Sequence, residues 1–104
     1  MNSEYPSQKD LKYIKNYDLV KNGIVGLVDF ICDNWHYGDW GYKKRLTSKT
    51  LWLQLHTGGW SGNESIIGAM MENRVFWMFG WQKSLRGGHY WFKWNLPKKE
   101  KIKK

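Results

Sequence analysis

One cysteine in 104 residues leaves Cys32 no internal partner, so a disulfide framework is excluded and a small buried thiol is the ordinary reading. No apolar run approaches the roughly 20 residues that span a bilayer. Residues 1–15 are polar throughout and lack the apolar middle of a signal peptide. These absences together point to a reducing, cytoplasmic location with no membrane partner. The catalytic signatures are missing too: there is no C-x-x-C, H-E-x-x-H, G-x-S-x-G or P-loop, and no G-x-G-x-x-G. A non-enzymatic protein without cofactor or metal is therefore expected. The remaining enzymatic option is a histidine-dependent activity centred on His56 and His89. Internal repeats are absent, and acids are scarce, nine against seventeen lysines and arginines.

What the chain does have is charge in one place and rings in excess. Residues 1–39 hold four lysines and six acids, residues 40–95 eight basic and two acidic residues, and residues 96–104 five lysines and Glu100. The net charge of +8 thus belongs to the second half and the tail. Such a distribution suits a polyanion, because neutralised phosphates release counterions; a lysine-rich end is also often no more than a solvated terminus. Eight tryptophans, six tyrosines and four phenylalanines make 17% of the chain aromatic. At roughly 150–250 Å² per ring, a core of this size cannot absorb all of them, so some face a partner.

At this length one domain is expected, residues 1–95, followed by a basic, flexible tail at 96–104. Ser7 and Asp10 have capping-box spacing and predict a helix to about residue 16. Asp18 then opens a longer helix whose stripe is Val20, Ile24, Leu27 and Ile31. Gly23 and Gly26 disfavour it by about 1 kcal/mol each, so either they permit close packing or the helix begins later. Residues 40–46 and 50–56 read as a hairpin, the second strand with leucine at every other position. Ser61 and Glu64 repeat the capping-box spacing and predict a helix to about residue 73. The apolar run at 74–83 reads as a central strand, and 89–95 as the last one. The expected fold is α+β, ordered α-α-β-β-α-β-β, with a four-stranded mixed sheet and helices mainly on one face.

If the strands at 50–56 and 74–83 run parallel, the connections bring His36, His56, Gly58, Gly59, Arg86 and His89 to one end of the sheet. That end is a candidate anion or ligand edge, although glycines in tight turns and locally paired histidines would give the same pattern. Arg45, Lys49, Arg74 and the tail lysines Lys98 and Lys99 fall at the opposite end. Alternation places Trp52, Gln54 and His56 on one face of their strand, and His89, Trp91 and Lys93 on one face of theirs. This mixture stacks bases while neutralising phosphates, and it equally resembles a protein interface. Which face the helices cover is not written in the alternation.

The stretch from Leu55 to Trp60, the following Ser61-Gly62-Asn63-Glu64, Phe76-Trp77 and Arg86-Gly87-Gly88-His89-Tyr90 together resemble motifs of short proteins encoded by phages and mobile elements. The likeness covers about residues 50–92 and carries no assigned chemistry. It implies a context: an inhibitor or adaptor acting on a host nucleic-acid machine, as anti-CRISPR and anti-restriction proteins do, in the host cytoplasm. Many DNA mimics are acidic, whereas this chain is basic. The expectation is therefore a basic module that engages nucleic acid or a nucleoprotein complex through Arg45, Lys49, Trp52, Arg74, Arg86, Lys98 and Lys99. The alternatives are a protein-protein module or homodimer built on exposed tryptophans, and a histidine-lined anion-binding domain or enzyme.

Overall fold

The computed structural model describes residues 6–36 and 41–96. Asp39, Trp40, Lys98 and Lys99 lie outside the described residues, as does the tail beyond Leu96. Leu96 itself is part of the folded body, with its amide donating to the Lys49 carbonyl at 2.8 Å.

Three helices come first: α1 Gln8–Asn16, α2 Leu19–Asn22 and α3 Ile24–Asp33. The Ser7 and Asp10 capping box forms as expected, each side chain meeting the other residue's amide. The expected long second helix is broken at Gly23, whose φ of 85° no ordinary residue holds cheaply. Gly26 serves close packing instead, since a Cβ there would fall 2.9 Å from the Tyr17 hydroxyl.

The sheet follows, with β1 Tyr42–Leu46 and β2 Thr50–His56, then α4 Ser61–Glu72 and α5 Arg74–Gly80, then β3 Trp81–Leu85 and β4 His89–Asn95. The α+β class and the four strands are as expected. Their order is β1-β2-β4-β3, and every neighbouring pair is antiparallel, so the sheet is not mixed. β2 and β3 do run in the same direction, with β4 inserted between them. The crossover therefore exists, carried by α4 and α5, but its two strands do not touch.

The largest departure is at residues 74–83, which begin as a helix and become a strand only at Trp81. Asn73 causes the switch: its Oδ1 accepts from the Phe76 amide, and its Nδ2 donates to the Ile14 and Tyr17 carbonyls. The buried positions Asn73, Phe76 and Gly80 fall at helical spacing, and Val75, Met78 and Phe79 are left outside. A strand with rings on both faces would have needed a second covering layer. The described helices lie on one side.

That side holds the core. Leu51, Leu53, Leu55, Phe92 and Trp94 face Ile14, Leu27, Val28, Ile31, Ile66, Met70 and Phe76. Full burial of each such side chain is worth about 1.5–3 kcal/mol relative to exposure. The Trp94 ring lies between two others, 4.6 Å from Phe76 at 16° and 5.3 Å from Phe92 at 2°. Its indole N–H donates to the Phe76 carbonyl at 2.9 Å. Lys15–Glu72 joins α1 to α4, and Lys44–Asp29 joins β1 to α3. Among the described residues, no helix is long and apolar enough to cross a membrane.

Candidate nucleic-acid interface

With the helices on the leucine face, the opposite sheet face is open, and strand register arranges it in rows. The middle row crosses the whole sheet as Lys43, Gln54, Trp91 and Lys83. The next row is Arg45, Trp52 and Lys93, and the end row is His56, His89 and Leu85. The tryptophans thus sit on the two central strands, with cations on both edge strands and on β4. Among the described residues, no strand contains an aspartate or glutamate.

Each tryptophan carries a lysine from its directly opposite neighbour. The Lys83 Nζ lies 4.7 Å from the Trp91 ring centre, and the Lys93 Nζ lies 4.8 Å from that of Trp52. Trp52 remains 39% exposed, which for a residue in a central strand marks a face without cover. A groove of about 900 Å³ runs over Lys43, Arg45, Trp52, Gln54, Lys83 and Trp91, near the top of the range of small-molecule sites. Lys44 points to the helix side, where the hydrogen bond to Asp29 raises its pKa and removes it from the face.

The predicted gathering at one end also occurs. His56 and His89 are register partners, and their Nδ1 atoms lie 2.8 Å apart. That bond needs one Nδ1 to donate and the other to accept, so at least one ring is neutral. Burial, the neighbouring His89 and Lys43 together hold the His56 pKa below the ordinary histidine value. His36 stacks on Trp60 with ring centres 4.3 Å apart. Asn63, fully buried, accepts from the His36 amide and donates to the His36 and Thr57 carbonyls. Thr57 closes the end against Gly88 through a 2.9 Å amide bond, and a Cβ on Gly88 would strike its side chain.

The capping box expected at Ser61 and Glu64 does not form. Helix α4 starts one residue earlier, with Trp60 at the N-cap and no side-chain cap. Trp60 folds its ring over Gly62, and Asn63 supplies the polar anchoring that Ser61 was expected to give. Gly58 and Gly59 take φ of 64° and 75°, so they make the tight turn between β2 and α4.

The expected binding residues do not form a single surface. Arg45 and Trp52 share the open face. Lys49 lies in the β1–β2 turn at one end, Arg86 in the β3–β4 turn at the histidine end, and Arg74 opens α5 on the helix side. Lys43 and Lys83 were not singled out from sequence. Counting back two from Arg45 would have found Lys43. Lys83 could not be placed without knowing that β3 begins at Trp81. Among the described residues, no three histidine, cysteine, aspartate or glutamate side chains group to hold a metal ion. No family model matches the chain, nor does any curated protein or solved structure.

Proposed function

We propose that the protein is a non-enzymatic binding module that engages nucleic acid, free or within a nucleoprotein complex, through its open sheet face. One observation carries the reading: Trp52 and Trp91 occupy the centre of an uncovered sheet, flanked by Lys43, Arg45, Lys83 and Lys93, with no acid on any of the four described strands. Cations supply phosphate affinity, and the rings supply contact area that does not depend on salt. The role of a phage-encoded inhibitor of a host defence nuclease is compatible with such a face, which would compete for the nuclease's guide or target. Titration of a labelled oligonucleotide at 50 and 200 mM salt tests the reading. Affinity should fall steeply with salt, and Arg45→Gln should flatten the slope by about 0.7–0.9, one phosphate's share. Absence of binding at low salt to every oligonucleotide, single- or double-stranded, refutes it.

A second reading has its own observation. Val20, Met78 and Phe79 are 81%, 74% and 72% exposed on the helix side, beside a groove of about 580 Å³ lined by Leu19, Ile24, Val75 and Trp94. An apolar patch of this kind fits a protein partner or a second copy of the chain. Sedimentation of the wild type and of Phe79→Ser distinguishes these outcomes: a dimer that the substitution disperses supports self-association.

A further inference from the structure

Resting on the nucleic-acid reading of the open face, we infer that its ligand is single-stranded, with two neighbouring bases stacked on Trp52 and Trp91 and with Lys93 and Lys83 moving from those rings to the phosphates. The first ground is geometric. Trp52 pairs with Lys93 and Gln54 pairs with Trp91, so the two rings are diagonal neighbours on adjacent strands. Diagonal positions on one face lie about 7–8 Å apart, a span that neighbouring nucleotides of an extended strand can bridge. In a duplex the base faces are stacked inward and only their edges reach a groove, so two central rings would meet nothing.

The second ground is that the ring faces already hold a cation. Lys83 rests on Trp91 and Lys93 on Trp52, each reaching from its own strand to the directly opposite residue on the next, and both lean in the direction of β1. A base arriving on either ring face takes the place of the ammonium group. An exposed cation–π contact is weaker than base–aromatic stacking, so the exchange favours the base. The released ammonium remains within side-chain reach and meets the phosphate attached to that nucleotide. Each lysine thereby rests against one side of its ring in the free protein and neutralises charge in the complex.

The third ground is Gln54, which lies between Trp91 and Lys43 in the middle row. Its amide has no hydrogen-bond partner among the described residues, and it offers both a donor and an acceptor. It sits where the edge of a stacked base would fall.

The test uses the whole chain and three fluorescein-labelled probes of equal length: an oligothymidylate, the same backbone with abasic sites throughout, and a blunt duplex. Anisotropy at 50 mM salt should rank oligothymidylate tightest. The abasic strand carries the same phosphates without base faces, so it should bind about 5- to 150-fold more weakly per stacked base lost. Trp52→Leu should reproduce that loss on oligothymidylate and leave abasic binding unchanged, and Trp52→Phe should recover much of it. Lys83→Gln and Lys93→Gln should each flatten the salt slope by about 0.7. Equal affinity for the abasic strand, or tighter binding of the duplex, overturns the stacking inference and leaves nucleic-acid binding standing. No binding to any of the three probes removes the proposed function itself. The probe comparison uses wild-type protein, so it does not depend on a variant folding.

Discussion

Gly80 and Trp94 offer the sharpest quantitative check on the structure, because each substitution alone should be costly and the second should add little to the first. A Cβ on Gly80 would fall inside contact with the indole Nε1, Cε2 and Cζ2 of Trp94. Gly80→Ala therefore overpacks the core and should cost about 1–3 kcal/mol or somewhat more. Trp94→Phe removes the donor to the Phe76 carbonyl, about 1–2 kcal/mol for a buried bond. It also leaves roughly 40 Å³ of unfilled space, which at about 24 cal/mol per Å³ adds about 1 kcal/mol. Phenylalanine has no atom at the Nε1 or Cζ2 positions, and its smaller ring can draw back from the place of Cε2, the third atom an alanine methyl would strike, so the methyl should enter the vacated space. The double variant is then expected to lie within about 1 kcal/mol of Trp94→Phe alone, a coupling of about 1–3 kcal/mol in favour of the pair. Urea titration of the four proteins measures it, and the single variants should melt about 5–20 °C lower by calorimetry. Strictly additive losses would show that Gly80 does not pack on Trp94.

Other substitutions read other parts of the molecule. Asn73→Ala removes the cap of α5 and two donors to the end of α1, and should lower stability by about 2–4 kcal/mol in urea. The His56 pKa lies below its ordinary value of about 6.5, so between those two values the unfolded chain binds more proton; stability is full above about pH 6.5 and falls with acidification through the folded pKa. Urea midpoints at pH 7.5 and 5 should show that decline, and His56→Gln should reduce it. Burial pushes the Cys32 thiol up to about 12, so iodoacetamide at pH 8 should modify it only after denaturant is added, as read by mass spectrometry. Rapid native labelling would contradict the packing of α3 on the sheet.

Where local chemistry decided the structure, sequence was enough to see it. The alternation of Leu51, Leu53 and Leu55 and the Ser7–Asp10 spacing act over a few residues, and both appear as expected. The meeting of His56 with His89 follows from β2 and β3 running the same way and from the one turn that reverses the chain into β4, and so does not depend on whether β2 and β3 touch. The run at 74–80 failed because burial pattern, not composition, separates helix from strand there. Phe76 and Gly80 are inside, Val75, Met78 and Phe79 outside, and nothing in five consecutive apolar side chains announces which is which. Ser61 and Glu64 had the right spacing, but Trp60 and Asn63 already organise that turn. The open face was half legible. Trp52, Gln54, Trp91 and Lys93 come from alternation, whereas their exposure depends on every helix choosing the other side.

The same cations have a second physical consequence at the margins of the sheet. β1 and β3 are edge strands with unpaired backbone groups, and an uncharged edge of this sort invites another chain to extend the sheet. β1 carries Lys43, Lys44 and Arg45 in succession, and β3 carries Lys83 beside the register shift between Trp81 and Lys83. Like charges on an approaching copy repel it, and the irregular register breaks the ladder it would need. Lys43, Arg45 and Lys83 therefore disfavour sheet extension through these rims, so removing several of them at once should bring intermolecular β-structure before it brings unfolding.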